Sequence, residues 1–459
     1  MAPPSPRRTR PNILFIMADQ HRVDYLGCAG ADFVRTANLD RLAARGVRLT
    51  QCFTNSPVCA PARIGLAAGL QPLRMGSLDN PSYLPASVTT YYQRLRDHGY
   101  RVGCIGKLDL AKPDKYNGRF GDRPCVFGWG FTHPEECEGK MHAGSSPTPI
   151  GPYTHYLQRR GQLAAFHVDY ERRRKAGWIW PANDSVLTTE DFEDVYIGRR
   201  AAEWVANIPG DFPWHCFVSF VGPHDPFDPP TEYADRYRGA AMPPAVADDL
   251  AGKPQWQRRR GKAWTAEQIA VTRRQYCAAI EAIDDQIGAI LDALDRRGMA
   301  DNTYVLFSSD HGEMLGDHGM YAKSVAYEPS LHVPLIAVGP GIAPGRSSDA
   351  LVELIDLNPT ICELAGLPAQ ENIDAVSFAP VLQGRRDSHR TEAVSALTNF
   401  RAIRTDRYKF VQNLNDAPEL YDLREDPHEL RNLAGDLRDE ARDLSARMHE
   451  RFMEGQWRR

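Results

Sequence analysis

The segment from Ser56 to Gly65, SPVCAPARIG, combines residue types that could carry out chemistry on an oxyanion. It places the thiol of Cys59 four residues before the guanidinium of Arg63. Side chains four residues apart lie on the same face of a helix, so a nucleophile and an anion-binding group would share one helical turn. The planar fork of the guanidinium matches the oxygens of a sulfate or phosphate group. The alternative interpretation is a small buried cysteine at a helix start, followed by a solvated arginine.

Three short apolar runs each lead into acidic or imidazole side chains. The runs cover residues 11–19, 215–221 and 303–309, and the polar side chains at their ends are Asp19, Gln20, His224, Asp310 and His311. Such runs are typical of buried parallel strands. Because ligands of open α/β sheets bind beyond the carboxyl ends of the strands, we expect these side chains to form a single site at one sheet edge.

The elements that must position this site alternate along the chain. Helical periodicity covers residues 36–45, 87–98, 191–208 and 265–297, between the apolar runs. Strands that alternate with helices predict an α/β fold with a mixed, mostly parallel sheet flanked by helices. Residues 112–181 are rich in Gly, Pro, Trp and His and poorly periodic, which predicts a long loop that carries substrate contacts.

The length of 459 residues predicts one large domain and a smaller one. We expect a disordered tail over residues 1–10, a catalytic α/β domain over 11–375 and a C-terminal subdomain over 376–459. The last part carries short candidate strands at 401–405, 408–412 and 419–423, followed by a charged helix at 437–452. These predict a small antiparallel sheet with one helix.

Charge and cysteine content exclude several classes of protein. The formal net charge is −4, and the basic runs at 172–175 and 258–260 are short and lie beside acidic neighbours, which argues against nucleic-acid binding. The nine cysteines are odd in number, and none forms a C-x-x-C pair. This argues against a disulfide framework or a zinc finger and favours a reducing compartment.

The N-terminus offers little support for export. The pair Arg7-Arg8 is followed by an apolar run, Ile13 to Ala18, that is short and lacks a small-residue cleavage site. No stretch approaches the roughly 20 apolar residues of a membrane span. We therefore expect a cytoplasmic protein that does not bind a membrane.

The pattern C-x-P-x-R around Cys59 resembles the signature of the sulfatase family, in the alkaline phosphatase superfamily. Further segments resemble that family in the same order along the chain: Asp19-Gln20, Gly106-Lys107, Pro223-His224-Asp225-Pro226, Asp310-His311, Lys323, and Glu419 to Leu423 with Asp426-Pro427. Gln20, His311 and Asn80 resemble most the choline sulfatase and phosphonate monoester hydrolase branch. The resemblance implies an alkaline-phosphatase-like fold.

The resemblance also implies a chemistry. In that family the cysteine is oxidised to formylglycine by a formylglycine-generating enzyme, and the hydrated aldehyde attacks the sulfur of a small anionic ester. The catalytic residues would then be Cys59, Arg63, Lys107, Asp109, His224 and Lys323. Asn80, Arg63 and Lys323 would bind the substrate.

The implied metal site holds one divalent cation. Its ligands would be Asp19, Gln20, modified Cys59, Asp310 and His311. Carboxylate and amide oxygens suit Ca²⁺, whereas the imidazole of His311 suits Mn²⁺ or another transition metal. We favour Ca²⁺ narrowly over Mn²⁺.

Asp109 departs from the family, which usually has histidine two residues after the lysine that Lys107 matches. A carboxylate near a transferred anion is repulsive unless it is protonated or paired, and Lys107 or Lys112 could pair with it. The alternative is that the side chain of Asp109 turns away from the metal and caps a loop. This difference from the family leaves the identity of the substrate open.

The main functional hypothesis is hydrolysis of a sulfate ester. Hydrolysis of a phosphonate monoester or a phosphodiester by the same residues is the first alternative, because the transferred groups are nearly isosteric. A non-catalytic binding homologue is the second, and the intact set around Cys59 argues against it. The leaving group stays open, as does assembly into a homo-oligomer.

Overall fold

The computed structural model describes the backbone of residues 10–457 and the side chains as far as Met453. The tail expected over residues 1–10 lies outside the described residues, apart from Arg10. The guanidinium of Arg10 donates to the carbonyl of His98 at 2.6 Å.

The main sheet has eight strands. They are β1 (Asn12–Asp19), β2 (Val47–Phe53), β3 (Arg101–Lys107), β4 (His133–Cys137), β5 (Trp214–Pro223), β6 (Thr303–Ser309), β7 (His332–Val338) and β8 (Arg346–Glu353). Their order is β4-β3-β5-β1-β6-β7-β2-β8. Only β7 pairs antiparallel with its neighbours, β6 and β2. The sheet is therefore mixed and mostly parallel, as predicted.

Helices alternate with these strands and continue after them along the chain. They are α1 (Ala37–Ala44), α2 (Cys59–Ala68), α3 (Tyr91–Asp97), α4 (Pro124–Gly128), α5 (Lys140–Gly144), α6 (Pro152–Arg159), α7 (Leu163–Ala176), α8 (Glu193–Asn207), α9 (Thr231–Tyr237), α10 (Gln255–Arg260), α11 (Ala266–Arg296), α12 (Glu328–Leu331), α13 (Leu357–Leu364), α14 (Ala379–Leu382) and α15 (Arg438–Trp457). The four predicted helical segments before residue 300 correspond to α1, α3, α8 and α11.

The central strand β1 shows why three layers form. Its side chains alternate between two apolar cores, with Phe15 packed in one and Ile16 in the other. The first core contains α2, α3, α13 and α14, and the second contains α1, α8 and α11. A strand buried on both faces must be apolar along its whole length, which accounts for the continuous run in the sequence.

A second, smaller sheet follows. Its four strands are β9 (Glu392–Ala396), β10 (Phe400–Thr405), β11 (Tyr408–Asn413) and β12 (Glu419–Asp422), all antiparallel in the order β12-β11-β10-β9. Helix α15 packs on it through Leu444 and Met448. The predicted fold class is thus confirmed, while the division into domains at residue 375 stays a prediction.

The expectation of a long loop over residues 112–181 was wrong. This region contains strand β4 and helices α4 to α7. Helix α7 was hidden because its buried side includes an ion pair, between Arg173 and Asp169 at 2.6 Å, next to the apolar Phe166 and Tyr170. A charged pair on the inner face masks the apolar periodicity on which helix prediction depends.

All nine cysteines are free, as the irregular spacing predicts. Within residues 10–457, none of the helices combines the length and the apolar character that crossing a bilayer requires.

Candidate active site

Four buried side chains from three parts of the chain converge at the carboxyl edge of the main sheet. Asp19 ends β1, Asp310 and His311 follow β6, and Cys59 is the first residue of α2. Because β1 and β6 are parallel neighbours, with Ala18 opposite Ser309, their ends deliver these side chains to one place. One donor atom from each of the four lies within 4.8 Å of the others.

The Sγ atom of Cys59 lies within contact distance of two other members of this cluster. It is 3.2 Å from Nε2 of His311 and 3.7 Å from Oδ1 of Asp19. Nε2 of His311 is in turn 3.7 Å from carboxylate oxygens of both Asp19 and Asp310. The expectation that Asp19, Cys59 and Asp310 share one site is therefore met by the geometry.

This donor set fits one divalent cation. Metal–ligand distances of about 2.0–2.6 Å allow two ligand atoms of one ion to lie up to about 5 Å apart. The cluster satisfies that limit and supplies two carboxylates to balance the charge of a dication. Carboxylates would suit Ca²⁺, and the imidazole of His311 would suit a transition metal.

Gln20 lies beside this cluster and has a left-handed backbone, with φ of 73°. Its backbone N–H donates to Oδ1 of Asp310 at 3.1 Å. Its side-chain oxygen accepts from Nζ of Lys323, and its Nε2 donates to Asp225 and to Glu313. The amide thus links the cluster to Lys323, and its role as a metal ligand stays a prediction.

The guanidinium of Arg63 lies beside both carboxylates of the cluster, those of Asp19 and Asp310. Its Nε donates to Oδ2 of Asp310 at 2.7 Å, and its Nη1 donates to Oγ of Ser219 at 2.7 Å and to the carbonyl of Lys107 at 2.9 Å. Its Nη2 is buried, has no hydrogen-bond partner among the described residues and lies 3.5 Å from Oδ2 of Asp19. Nη2 can thus donate a hydrogen bond to a further acceptor.

Cations surround Cys59 and change its acidity. Burial and the carboxylate of Asp19 act to raise the pKa of the thiol, but Lys107, Lys323 and Lys112 outweigh them and hold this pKa well below its usual value. For Asp19, burial acts to raise the pKa, and Lys107 and other cations lower it well below the ordinary range. The surroundings of residue 59 therefore favour negative charge, as a site for an anionic substrate requires.

Lys107 ends strand β3 and reaches the cluster because Gly106 precedes it. At Gly106 the backbone has φ of 106°, and a Cβ there would lie 1.9 Å from the carbonyl oxygen of Ser219. Only glycine allows this approach of β3 to β5. Nζ of Lys107 pairs with Asp19 and lies 3.1 Å from Oδ2 of Asp109.

Asp109 is paired rather than protonated. Its carboxylate contacts both Lys107 and Lys112. Burial acts to raise the pKa of Asp109, but the two lysines lower it below the ordinary value. The sequence allows the carboxylate of Asp109 to be either protonated or paired with a lysine. In the structure it is paired.

His224 and Lys323 meet on the far side of Gln20. Nε2 of His224 contacts Nζ of Lys323, and Nδ1 of His224 lies 2.5 Å from the carbonyl oxygen of Asp225. A carbonyl can only accept, so Nδ1 carries a proton and Nε2 accepts from the lysine. Asn80 is further from the cluster: its Oδ1 accepts from the backbone N–H of Ala60 at 3.2 Å.

A cavity of about 280 Å³ lies on the other side of Lys107, whose ammonium contacts Asp19; none of the four cluster residues lines it. Lys107, Asp109, Asn80 and His224 line it, so predicted site residues from separate segments share its wall. This volume is near the lower end of the range for small-molecule sites.

Two buried charged residues that the sequence did not single out contact predicted site residues or their neighbours. Glu313 accepts from Nε2 of Gln20, and Lys140 of helix α5 donates to the carbonyls of His224 and Pro226. Glu313 comes three residues after Asp310 in the same loop and could have been found by its position there. Nothing in the local sequence singles out Lys140.

Comparison with known proteins agrees with this geometry. The family model described as Sulfatase matches residues 11–367, and the one described as N-sulphoglucosamine sulphohydrolase, C-terminal, matches residues 316–457. The chain is 32% identical over 453 residues to a choline-sulfatase of Rhizobium meliloti, covering 93% of this chain and 82% of that protein. It is 29% identical over 456 residues to an arylsulfatase of Clostridium perfringens, covering 92% and 90%.

The fold has close relatives among solved structures. The phosphonate monoester hydrolase of Agrobacterium radiobacter superposes with a TM-score of 0.80 at 26% identity, covering 97% of this chain and 96% of that one. The alkaline-phosphatase-like architecture expected from the sequence is therefore confirmed. Since the family model spans most of the chain and the cluster lies at the sheet edge where the motifs predict it, the chain belongs to the sulfatase family of hydrolases, in the alkaline phosphatase superfamily.

Proposed function

We propose that the protein hydrolyses a sulfate ester of a small molecule, with residue 59 acting as formylglycine beside one divalent metal ion. The observation that carries this proposal is the position of Cys59. Its Sγ atom lies 3.2 Å from His311 and 3.7 Å from Asp19, at the first residue of helix α2 and among three lysines. Membership of the sulfatase family supports the same assignment.

Asp19, Asp310, His311 and residue 59 would hold the metal, with Gln20 as a further oxygen ligand, and Ca²⁺ is preferred narrowly over Mn²⁺. A bound dication would offset the charge of the sulfate and polarise its S–O bonds. Arg63 fixes the orientation of Asp310 through Nε and keeps Nη2 for an oxygen of the transferred group. The hydrated aldehyde of residue 59 would supply the nucleophile.

Lys107, Lys323 and His224 would stabilise the charge that develops in the transition state. The contact between Nζ of Lys323 and Nε2 of His224 holds a proton between these two atoms. That proton is positioned for transfer to the departing oxygen, because both groups adjoin the cluster and His224 also lines the cavity. Asn80, at the wall of the cavity, would bind the substrate together with Arg63 and Lys323.

Maturation requires a partner, a formylglycine-generating enzyme that converts the thiol of Cys59 to an aldehyde. We place the protein in the cytoplasm, since all nine cysteines are free. Neither proposal affects the assignment of the residues.

The mass of the tryptic peptide that contains residue 59 tests the proposal most directly. We expect the mass of formylglycine in place of cysteine when the protein is produced together with a formylglycine-generating enzyme. This preparation should hydrolyse aryl sulfates, whereas protein with an unmodified thiol should not. Equal activity of the two preparations would reject formylglycine as the nucleophile.

Hydrolysis of phosphonate monoesters is the second candidate. Two observations favour it: the structural likeness to the Agrobacterium radiobacter enzyme, and Asp109 in place of the expected histidine. The two candidates are separated by the ratio of kcat/KM for phenyl sulfate and for a phenyl phosphonate ester. A ratio above one supports the sulfatase, and a ratio below one supports the alternative.

A further inference from the structure

The cavity beside the cluster is the space into which the leaving group of a bound ester would extend. Three of its wall residues contact the cluster or its flanks: Lys107 contacts Asp19, His224 contacts Lys323, and Asn80 accepts from the residue after Cys59. Its remaining wall comes from residues 109–117 and 136–145, with Arg123. An ester whose sulfate lies at the cluster can therefore extend its other substituent past Lys107 and His224 to these segments.

The wall is rich in charge, and each of its carboxylates lies close to a cation. Asp109 pairs with Lys107 and Lys112. Glu136 is held by the guanidinium of Arg123 through two hydrogen bonds, of 2.5 and 2.6 Å. Asp114 accepts from the hydroxyl of Tyr83 at 3.0 Å and lies 3.4 Å from Arg123. Each described carboxylate of the wall is thus engaged by a cation, with Glu136 and Asp114 sharing the guanidinium of Arg123.

One cation on the wall has no such partner. Lys115 is exposed, lines the cavity, and forms no ion pair with any carboxylate of the part of the chain that the structure describes. The other cations of the wall are occupied, including Lys140, whose ammonium lies 2.6 Å from Asp228. Lys115 is consequently the positive charge that the cavity offers to a ligand.

The wall also lacks the groups that bind a quaternary ammonium ion. Such ions are recognised by aromatic faces within about 6 Å, and no Phe, Tyr or Trp is among the described residues that line this cavity. Tyr83 donates its hydroxyl to the lining residue Asp114, but Tyr83 itself does not line the cavity. The cavity therefore differs from what a choline ester would need, despite the similarity of the chain to a choline-sulfatase.

We propose that the leaving group of the substrate occupies this cavity and carries a second anionic group, a carboxylate or a sulfate, which Lys115 binds. This proposal rests on the proposed function, because it takes the cluster as the place where the ester is cleaved. It identifies the substrate class as sulfate esters of molecules that remain anionic after hydrolysis.

The test compares four meta-substituted phenyl sulfates, carrying a carboxylate, its methyl ester, a second sulfate or a trimethylammonium group. Wild-type protein matured with formylglycine is compared with Lys115→Met, Lys115→Arg and, as a control, Lys175→Met. Lys175 is an exposed lysine of helix α7 that does not line the cavity. Dividing each kcat/KM by that of the methyl ester in the same variant cancels effects common to all substrates.

We expect Lys115→Met to lower the relative kcat/KM of the carboxylate and the second sulfate by about three- to fivefold, the size of a single exposed ion pair. Lys115→Arg should keep the preference, and Lys175→Met should leave it unchanged. The preference should also shrink as the ionic strength rises. Whichever of the two anionic substrates, the carboxylate or the second sulfate, loses more of its relative kcat/KM in Lys115→Met carries the group that the lysine binds.

The inference is overturned if Lys115→Met leaves these ratios unchanged, or if wild-type protein prefers the trimethylammonium substrate. Turnover of the methyl ester by wild type shows that the proposed function holds independently of this result. If none of the sulfates is hydrolysed, the proposed function fails, and the four compounds are compared by equilibrium binding to the same variants. Loss of the preference for anionic compounds in Lys115→Met would then still support the cavity assignment, and equal binding would refute it.

Discussion

The ammonium group of Lys140 lies 2.6 Å from Oδ1 of Asp228, and both side chains are buried. The same ammonium donates to the carbonyl oxygens of His224, at 3.1 Å, and Pro226, at 2.7 Å. Lys140 therefore ties helix α5, which lines the cavity, to the segment that carries His224. This makes it a positioning residue for the group that would assist departure of the leaving group.

Lys140→Met should lower kcat for alkyl sulfates by about tenfold or more, with a smaller effect on nitrophenyl sulfate. The reason is that a poor leaving group depends on a well-placed proton, whereas nitrophenolate departs without one. The dependence of kcat on the pKa of the leaving alcohol measures this difference. Equal losses for both substrates would show that Lys140 has only a structural role.

The control for this variant concerns stability. Lys140→Met leaves the buried Asp228 carboxylate with only the more distant Arg173, at 3.9 Å, which costs up to about 3–5 kcal/mol of unfolding free energy. The double variant Lys140→Met, Asp228→Asn should recover much of this stability in denaturant unfolding. Its leaving-group dependence should remain steep, since the double variant still lacks the ammonium group that holds the His224 segment.

Cys59→Ala and Arg63→Ala should both abolish turnover, for different reasons. The first removes the nucleophile and leaves the ion pair between Arg63 and Asp310 in place. The second removes a charge-assisted contact to the transferred group, worth several kcal/mol in a site without water. Near wild-type kcat in either variant, measured with an aryl sulfate, would reject the assignment.

Arg63→Ala also has a distinguishing effect on stability. Without the guanidinium, the buried carboxylate of Asp310 keeps only the imidazole of His311, 3.7 Å away, as a nearby side-chain partner, so it depends more strongly on a metal ion. Addition of the metal should therefore raise the melting temperature of Arg63→Ala more than that of wild type. A smaller rise in the variant would indicate that Asp310 is not a ligand.

The purified protein should contain about one equivalent of a divalent cation by elemental analysis. Chelation should abolish aryl sulfate hydrolysis, and re-addition should restore it, with Ca²⁺ at least as effective as Mn²⁺. A metal at one hundred times its Kd should stabilise the fold by about 2.7 kcal/mol, and Asp310→Asn should lose most of this. A metal-free preparation with full activity would contradict the site.

The sequence predicts the site residues that follow the ends of strands. It misses the residues that reach the site through contacts between distant segments. Asp19 and Asp310 could be placed together because apolar runs reveal buried strands and parallel strands end at one edge. Lys140 could not, because it lies on a helix of five residues and makes its contacts with residues 84 to 88 positions further along the chain. Such contacts depend on the packing of whole elements, which local periodicity does not record.

Acid should destabilise the protein partly through His215, which is buried on β5 and lies close to the rings of Tyr91 and Tyr92. Burial lowers the pKa of His215 from 6.5 to about 3. The unfolded chain therefore binds a proton that the folded chain excludes between these values, and stability falls as the pH drops below 6.5. The loss due to this group should reach about 3 kcal/mol at about pH 4.

His215→Phe should remove this contribution, because phenylalanine fills the same apolar position without titrating. Unfolding free energies of the variant and of wild type, measured from about pH 7 to about pH 4, should diverge towards the acid end. His449→Phe, the same substitution at an exposed position, is measured beside it. Parallel curves for His215→Phe and wild type would show that His215 does not contribute.

Asp109→His addresses the choice between sulfate and phosphonate esters. Asp109 neutralises charge on Lys107 and Lys112 at the wall of the cavity, and these lysines keep its pKa low. Replacement by histidine removes a negative charge two residues from Lys107, so Lys112 loses its carboxylate partner while Lys107 remains paired with Asp19. A transferred group with more negative charge on its oxygens gains most from this change, since its attraction to the less neutralised lysines is stronger. The ratio of kcat/KM for a phenyl phosphonate ester to that for phenyl sulfate is therefore expected to differ between the variant and wild type.

Asp109→Asn separates the loss of charge from the gain of an imidazole, because it removes the charge while keeping the shape. If both activities change by the same factor in the two variants, Asp109 has no part in selectivity and serves only to hold Lys107 and Lys112 in place.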